Sequence, residues 1–322
     1  MKHKQKILLT RRLHSFALKE LKRKYDVTVH SGKIPMPKKI LMKKIQDKNG
    51  LICFPYDIID SDVVNAGKKL KCISTYSVGF DHIDIKFAKK RKIRIGYTPE
   101  VLTDATADLT VALILDLLRR VSEGDRVIRS GSWKEIFGAY EYVGTDISGK
   151  TIGILGMGRI GKAVAKRMYP FGAKIIYHNR NSLPKTEEKS IHAKFVTLNT
   201  LFKSTDILSI HLPYSKETHE IVDKNMIRKM KKSSFIINTS RGKIINENDL
   251  TKALKHGKIS GAALDVFSNE PIGKKHPLNK MNNVVLVPHI GSSTKETRKK
   301  MAEITVMNLK LGLDGKKLLY SV

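Results

Sequence analysis

Short apolar runs alternate with longer amphipathic segments along almost the whole chain. In the first hundred residues the runs are Ile7 to Thr10, Val27 to His30, Leu51 to Phe54, Cys72 to Ser74 and Ile93 to Tyr97. Runs this short between polar segments read as strands. Ser15 to Lys24, and the stretch after Pro35 and Pro37, carry helical spacing. Strand-helix alternation predicts a parallel sheet with helices on its faces. A longer apolar helix, about Val101 to Ser122, follows. After it comes a looser glycine-containing piece, Gly124 to Gly149, holding the single tryptophan, Trp133. A second series opens at Thr151. Its later strands are expected at Ile207 to His211, Phe235 to Thr239, Gly261 to Val266 and Val284 to Pro288, with helices between them, as at Glu247 to Lys255. A last helix, about Thr294 to Lys310, comes after that series has closed.

Two long helices flanking the second series predict that it is inserted into the first. The expected domains are 1–98 with 291–322, and 99–290 between them. Two chain crossings, near Pro99 and Gly291, would make a hinge with a cleft between two lobes. The fold class expected is α/β, with two Rossmann-like, doubly wound parallel-sheet domains. The first is flavodoxin-like and the second dinucleotide-binding.

The stretch from Thr151 to Arg180 carries the strongest local signal. An apolar run leads into Gly156, Gly158 and Gly161, spaced G-x-G-x-x-G, with Met157, Arg159 and Ile160 between them. Ile160, Val164 and Met168 then recur at helical spacing, and another apolar run begins after Gly172. Strand, tight turn, helix, strand is the context in which this spacing means a dinucleotide site. The helix start would face the pyrophosphate with unpaired N–H groups and the positive end of its dipole. A site for NAD(H) usually places Asp or Glu roughly 20 residues past the glycines, to hold the ribose 2′-hydroxyl. Here the second strand ends in His178, Asn179 and Arg180. With no carboxylate to repel a 2′-phosphate and a guanidinium able to pair with one, NADP(H) is the expected cofactor, with NAD(H) possible. The plainer reading of Arg180 is one more solvated cation of a very basic chain.

That basic balance is large. Lys and Arg number 61 against 30 Asp and Glu, for a formal charge of +31 over 322 residues. The cations lie in small clusters along the whole length, as at Lys89 to Lys92, Lys231 to Lys232 and Arg298 to Lys300. No aromatic residues interleave with them as base-stacking platforms, and no nucleic-acid motif is present, so a Lys-rich surface is preferred to a nucleic-acid-binding one. Hydrophobic residues make up 41%, enough for an ordinary core. The only cysteines, Cys53 and Cys72, give neither a metal spacing nor a disulfide framework, which fits a reducing compartment. The apolar start at Ile7 turns polar again at Arg11, too soon for a signal-peptide core. Leu109 to Leu118 contains Asp116 and is too short for a membrane span. A cytoplasmic protein without a metal site is expected.

Three strand-end segments after the glycines carry groups suited to keto-acid chemistry. Arg241 follows the run ending at Thr239, Glu270 follows Asp265 and Val266, and His289 follows Pro288. Reducing a 2-keto acid needs a cation for the carboxylate and carbonyl, an acid for the oxygen and a partner that tunes the acid. In open α/β sheets ligands bind beyond the carboxyl ends of the strands, where these three residues fall. Each has a plainer reading: Arg241 as a surface cation, Glu270 as a turn residue before Pro271, His289 as one of eleven histidines. Their joint placement favours catalysis.

At these residues the chain resembles the D-isomer-specific 2-hydroxyacid dehydrogenases, most closely the glyoxylate/hydroxypyruvate reductase branch. The resemblance covers nearly the whole chain. It rests on ordered motifs: Ser77 to Asp84, Gly96 to Asp108, the glycine fingerprint, His211 to Pro213, Asn238 to Gly242, Ala263 to Pro271 and Pro288 to Ser292. It implies an NAD(P)-dependent reductase of small 2-keto acids such as glyoxylate and hydroxypyruvate. Arg241 would bind substrate, His289 would exchange the proton, and Glu270 would orient the ring and favour its charged form. Val78 and Gly79 would offer backbone N–H groups to the carboxylate, with Ser292 beside it. Thr106, His211, Leu212, Pro213 and Thr218 would line the cofactor. So would Thr239, Ser240 and Gly291, with Asp265 near the carboxamide. Similar formate dehydrogenases carry glutamine where this chain has Glu270. A homodimer joined through the cofactor domains is implied. In it Trp133 would reach the neighbouring subunit's substrate pocket or serve as an ordinary interface residue. An NAD-linked D-lactate or phosphoglycerate dehydrogenase is the alternative within the class. A cofactor-sensing corepressor on the same fold is the alternative outside it.

Overall fold

The computed structural model describes residues 4–322. Residues 1–3, the start of the N-terminal lead-in to the first strand, lie outside the described residues. The chain divides into two compact units, Met1–Leu102 with Ser292–Val322, and Thr103–Gly291. The sequence expectation placed these breaks after residues 98 and 290.

The first unit opens with β1 (Lys6–Leu9), α1 (Ser15–Lys24), β2 (Asp26–Val29), α2 (Lys38–Ile45) and β3 (Gly50–Cys53). It continues through α3 (Ser61–Ala66), β4 (Cys72–Thr75), α4 (Ile85–Lys90) and β5 (Arg94–Gly96). The strands form one parallel sheet in the order β2-β1-β3-β4-β5, a flavodoxin-like winding. β3 and β4 are buried along their whole length. Helices cover both faces of such a sheet, so its inner strands read as continuous apolar runs rather than alternating ones. Asp60 and Asp84 cap α3 and α4 by accepting from the Val63 and Phe87 N–H groups at 3.2 and 2.9 Å.

The second unit contains α5 (Thr103–Arg119), α6 (Val121–Arg129), β6 (Thr151–Leu155), α7 (Arg159–Met168), β7 (Lys174–His178) and α8 (Lys185–Ser190). Then come β8 (Ala193–Phe195), α9 (Leu198–Ser204), β9 (Ile207–Ile210), α10 (Lys224–Ile227) and β10 (Phe235–Asn238). It ends with α11 (Glu247–Lys255), β11 (Gly261–Leu264) and β12 (Val284–Leu286). Its seven-stranded sheet runs β12-β11-β10-β9-β6-β7-β8, every pair parallel. That is the dinucleotide-binding order with β12 added at one edge, and the winding reverses between β6 and β9.

Two elements differ from the sequence reading. The apolar helix expected to reach Ser122 stops at Arg119, because Arg120 turns left-handed at φ 57°. The Asp116 carboxylate accepts the Ser122 N–H at 2.6 Å, and Arg120 grips Glu123 with two bonds of 2.8 Å, so a separate α6 starts there. β8 was not anticipated; it is three residues long, with only Ala193 buried, and too short for a periodic signal.

The chain returns to the first unit as α12 (Lys295–Leu313), which Thr294 caps through the Thr297 N–H. α12 packs on β4 and β5, and Ser74 Oγ donates to Thr305 O at 2.9 Å. The fully buried Asn308 ties this helix to the C-terminal tail. Its Nδ2 donates to Tyr97 O at 3.0 Å, and its Oδ1 accepts the Leu319 and Tyr320 N–H groups at 3.0 and 3.2 Å. Among the described residues no helix is long and apolar enough to cross a membrane. Asn308→Ala strands these main-chain groups and should cost about 2–3 kcal/mol, read as a lower urea midpoint for the first unit; an unchanged midpoint would count against the role.

Candidate active site

β6 runs into Gly156, whose φ of +101° favours glycine. A Cβ there would lie 2.8 Å from His211 C and 2.9 Å from Leu212 N, so the turn is pressed against the segment leaving β9. Gly156 N donates to His178 O at 3.0 Å and Met157 N to Asn179 Oδ1 at 2.7 Å. Two bonds thus tie the turn to the end of β7. Gly158 faces open space, and Arg159 and Ile160 begin α7 with no acidic residue in its first turn. The unpaired N–H groups and the dipole of that helix suit a pyrophosphate. Gly161 sits inside α7, buried. Arg180 is exposed just past β7. The Ser215 hydroxyl, with a further contribution from the Arg180 charge, holds the Glu217 carboxyl below its usual range. The structure therefore brings a carboxylate near Arg180 that is distant in sequence.

At the end of β9, His211 Nε2 meets Ser209 Oγ at 2.8 Å, and burial pushes the imidazole down to about 3. The ring stays neutral throughout the physiological range. Leu212 is half-buried and Pro213 exposed. Thr218 Oγ1 donates to Pro213 O at 2.8 Å and accepts the Ser215 N–H at 2.7 Å, closing this loop on itself.

β10 ends at the buried Asn238, and its side chain builds the next turn. Oδ1 accepts the Ser240 N–H at 3.0 Å and hydroxyl at 2.9 Å, while Nδ2 donates to Arg241 O at 2.9 Å. Thr239 Oγ1 lies 2.9 Å from Thr110 Oγ1 on α5, and Thr106 Oγ1 donates to Gly291 O at 3.2 Å. Arg241 leaves this turn half-buried, its Nη1 donating to Ser240 O at 2.8 Å. A Cβ on Gly242 would fall 1.9 Å from Phe267 C and 2.4 Å from Ser268 N. Only glycine lets the segment after Arg241 touch the turn that carries Glu270.

In that turn Glu270 Oε1 accepts the Phe267 N–H at 2.8 Å, and Oε2 meets His289 Nδ1 at 2.7 Å. A carboxylate on Nδ1 fixes the ring's orientation and directs Nε2 the other way. His289 itself has φ 54°, a conformation uncommon for a residue other than glycine. Strain of this kind persists only where the surroundings enforce it. Here Asp265 enforces it, accepting the Ile290 N–H at 2.6 Å and the Gly291 N–H at 2.8 Å. Asp265 is buried, and burial pushes its carboxyl up to about 6 against the pull of those N–H groups and of His289.

The second unit therefore brings Glu270 and His289 into contact and joins the Arg241 segment to them through Gly242. The remaining expected residues lie elsewhere. Val78 and Gly79 follow β4 in the first unit, where Ser77 Oγ donates to Gly79 O at 2.6 Å. Ser292 opens the returning segment of the first unit, ahead of α12. Trp133 lies in an exposed arm after α6, with 52% of its surface accessible. Sequence reading missed the main-chain contacts of Asp265 and the pairing of Glu247 with His276 at 3.0 Å. The helix cap at Asn246, directly before Glu247, was the one local signal for the latter.

Asp265 gives a pH test. Its folded pKa lies above the ordinary 3.8, so the stability it lends is complete below that value and is lost as pH rises through about 6. Wild type minus Asp265→Asn unfolding free energy should fall by on the order of 3 kcal/mol between pH 4 and 7 in urea titrations. A difference that holds constant, or grows with pH, would contradict this.

Residues 111–291 match the family model described as the D-isomer specific 2-hydroxyacid dehydrogenase, NAD binding domain. A glyoxylate reductase of Thermofilum pendens is 47% identical over 311 residues, covering 96% of this chain and 92% of its own. The TT0316 protein of Thermus thermophilus superposes with a TM-score of 0.91 at 41% identity, covering 99% of this chain and 100% of its own. An NADPH-dependent glyoxylate/hydroxypyruvate reductase of Sinorhizobium meliloti, solved with NADP and malonate, gives 0.88 at 28% identity, covering 99% and 97%. A family model spanning more than half of the chain, and near-half identity along almost all of it, place this protein among the D-isomer-specific 2-hydroxyacid dehydrogenases, NAD(P)-dependent oxidoreductases.

Proposed function

We propose that the protein reduces small 2-keto acids, glyoxylate and hydroxypyruvate first, to 2-hydroxy acids. The observation that carries this reading is the 2.7 Å contact between His289 Nδ1 and Glu270, at the strand edge that also presents Arg241. The names of the Thermofilum and Sinorhizobium relatives support the substrate class. The Gly156–Gly161 turn would hold a nicotinamide dinucleotide, which would supply the hydride when bound. Arg241 binds the carboxylate and draws charge towards the carbonyl oxygen. His289 Nε2 gives its proton to the developing alkoxide, with Glu270 stabilising the ring while it carries charge. In the reverse direction the neutral ring takes the proton back.

NADP(H) is the preferred cofactor in this reading. Asn179 is occupied with Met157 N, no carboxylate ends β7, and Arg180 stands exposed beyond it. The protein works as a homodimer in the same reading. α6 buries none of its residues, and Ile136, Tyr140 and Val143 beyond it are also exposed, as a face awaiting a second copy would be.

His289→Gln should lower keto-acid-dependent NADPH oxidation by about 10²–10⁴ with the cofactor still bound. Equal rates in the two proteins would remove His289 from the mechanism. Arg180→Ala should raise KM for NADPH roughly tenfold and leave KM for NADH nearly unchanged, the loss of one charge-assisted phosphate contact. Parallel changes for both cofactors would point to NAD(H).

A further inference from the structure

We infer that Glu247 and His276 form a positioning pair that holds the Glu270 carboxylate against His289. This rests on the catalytic reading above, but its own support is separate. The turn from Phe267 to Glu270 exposes consecutive main-chain N–H groups with no strand partner. Glu270 Oε1 takes the Phe267 N–H at 2.8 Å. Glu247 Oε2, from the first turn of α11, takes the next one, Ser268 N–H, at 3.0 Å. The other oxygen of Glu247 meets His276 Nε2 at 3.0 Å, with side chains only 21% and 18% exposed. The His276 ring also stands edge-on to Phe267 at 6.2 Å between centroids.

One short segment thus touches the Glu270 turn twice, at Gly242 and at Glu247. The Gly242 contact presses the main chain after Arg241 directly against the turn. The Glu247 contact is a single hydrogen bond to Ser268, and its carboxylate needs a partner of its own to keep its aim. His276 supplies that partner. Without the pair, Glu270 would still accept from Phe267, but the turn could rock about the Gly242 contact. The Glu270–His289 bond would then lengthen, while the cofactor turn and Arg241 stayed in place.

The arrangement predicts a specific kinetic signature. Glu247→Ala and His276→Ala should each lower kcat about tenfold or more, the scale expected when a reacting group is misplaced by a fraction of an ångström. KM for glyoxylate and for NADPH should stay within about twofold, because the pair touches neither. Glu247→Gln should keep kcat well above that of Glu247→Ala, since its carbonyl oxygen still accepts the Ser268 N–H. A merely structural pair would lower the melting temperature and leave kcat of the folded protein unchanged. Should an alanine variant fail to fold, His276→Asn, the mildest change, reads the same loss in kcat. Alanine variants with wild-type kcat, a loss that appears in KM instead, or a Gln variant as impaired as Ala would each overturn the inference. Its failure differs from failure of the proposed function. Inactive wild type, or fully active His289→Gln, would sink the function; an active wild type, impaired His289→Gln and unimpaired Glu247→Ala would sink the pair alone.

Discussion

A parallel strand leaves main-chain N–H groups without ladder partners wherever the chain passes its carboxyl end. Burying such groups unpaired costs about 1–3 kcal/mol each, so something else must accept from them. In this protein the acceptors are side chains, and they shape the loops beyond β10, β11 and β12. Asn238 accepts the Ser240 N–H, Glu270 that of Phe267, Glu247 that of Ser268, and Asp265 those of Ile290 and Gly291. Because β10, β11 and β12 are neighbours, the turns beyond them are adjacent as well. Satisfying their backbone and fixing their side chains become the same task.

Asp265 shows the cost of that arrangement. A buried carboxylate prefers to be neutral, yet its two backbone bonds reward the charged form. The compromise holds His289 in a left-handed backbone that it would otherwise avoid. Burial, N–H donation and the nearby imidazole act on one group, so none of the three can change without moving the others. Glu270 is less buried and serves a simpler purpose. One of its oxygens is spent on its own turn, and the other is left to face the ring.

Much of this was legible from pattern. The glycine spacing after an apolar run locates the turn between β6 and α7 because each glycine answers a local steric demand. Glu247–Lys255 and Ser15–Lys24 are visible as helices because their apolar residues recur along one face. Arg241, Glu270 and His289 stand out because each follows a strand. What stayed hidden depends on distance in sequence. Arg120 breaks the helix through a left-handed backbone that Asp116 and Glu123 stabilise, and no apolar spacing reports such a break. Likewise Gly242 reads as an ordinary turn glycine until the Phe267 backbone is found against it. The Arg180 charge bears on the Glu217 carboxyl although 37 residues separate them in the sequence.

The excess of cations sharpens the meaning of the few buried acids. With 61 Lys and Arg against 30 Asp and Glu, random placement would pair most carboxylates with surface cations. Many are so paired, as Asp47 is with Lys6 and Asp314 with Lys24, and exposed pairs of this kind contribute little to stability. Asp265, Glu247 and Glu270 accept instead from main-chain N–H groups or from histidines. These acids serve to fix backbone, and the long-range field is set by the surplus of cations. A surface so rich in cations attracts anions in general, more weakly as salt rises. The acids beneath it hold the turns still for what arrives.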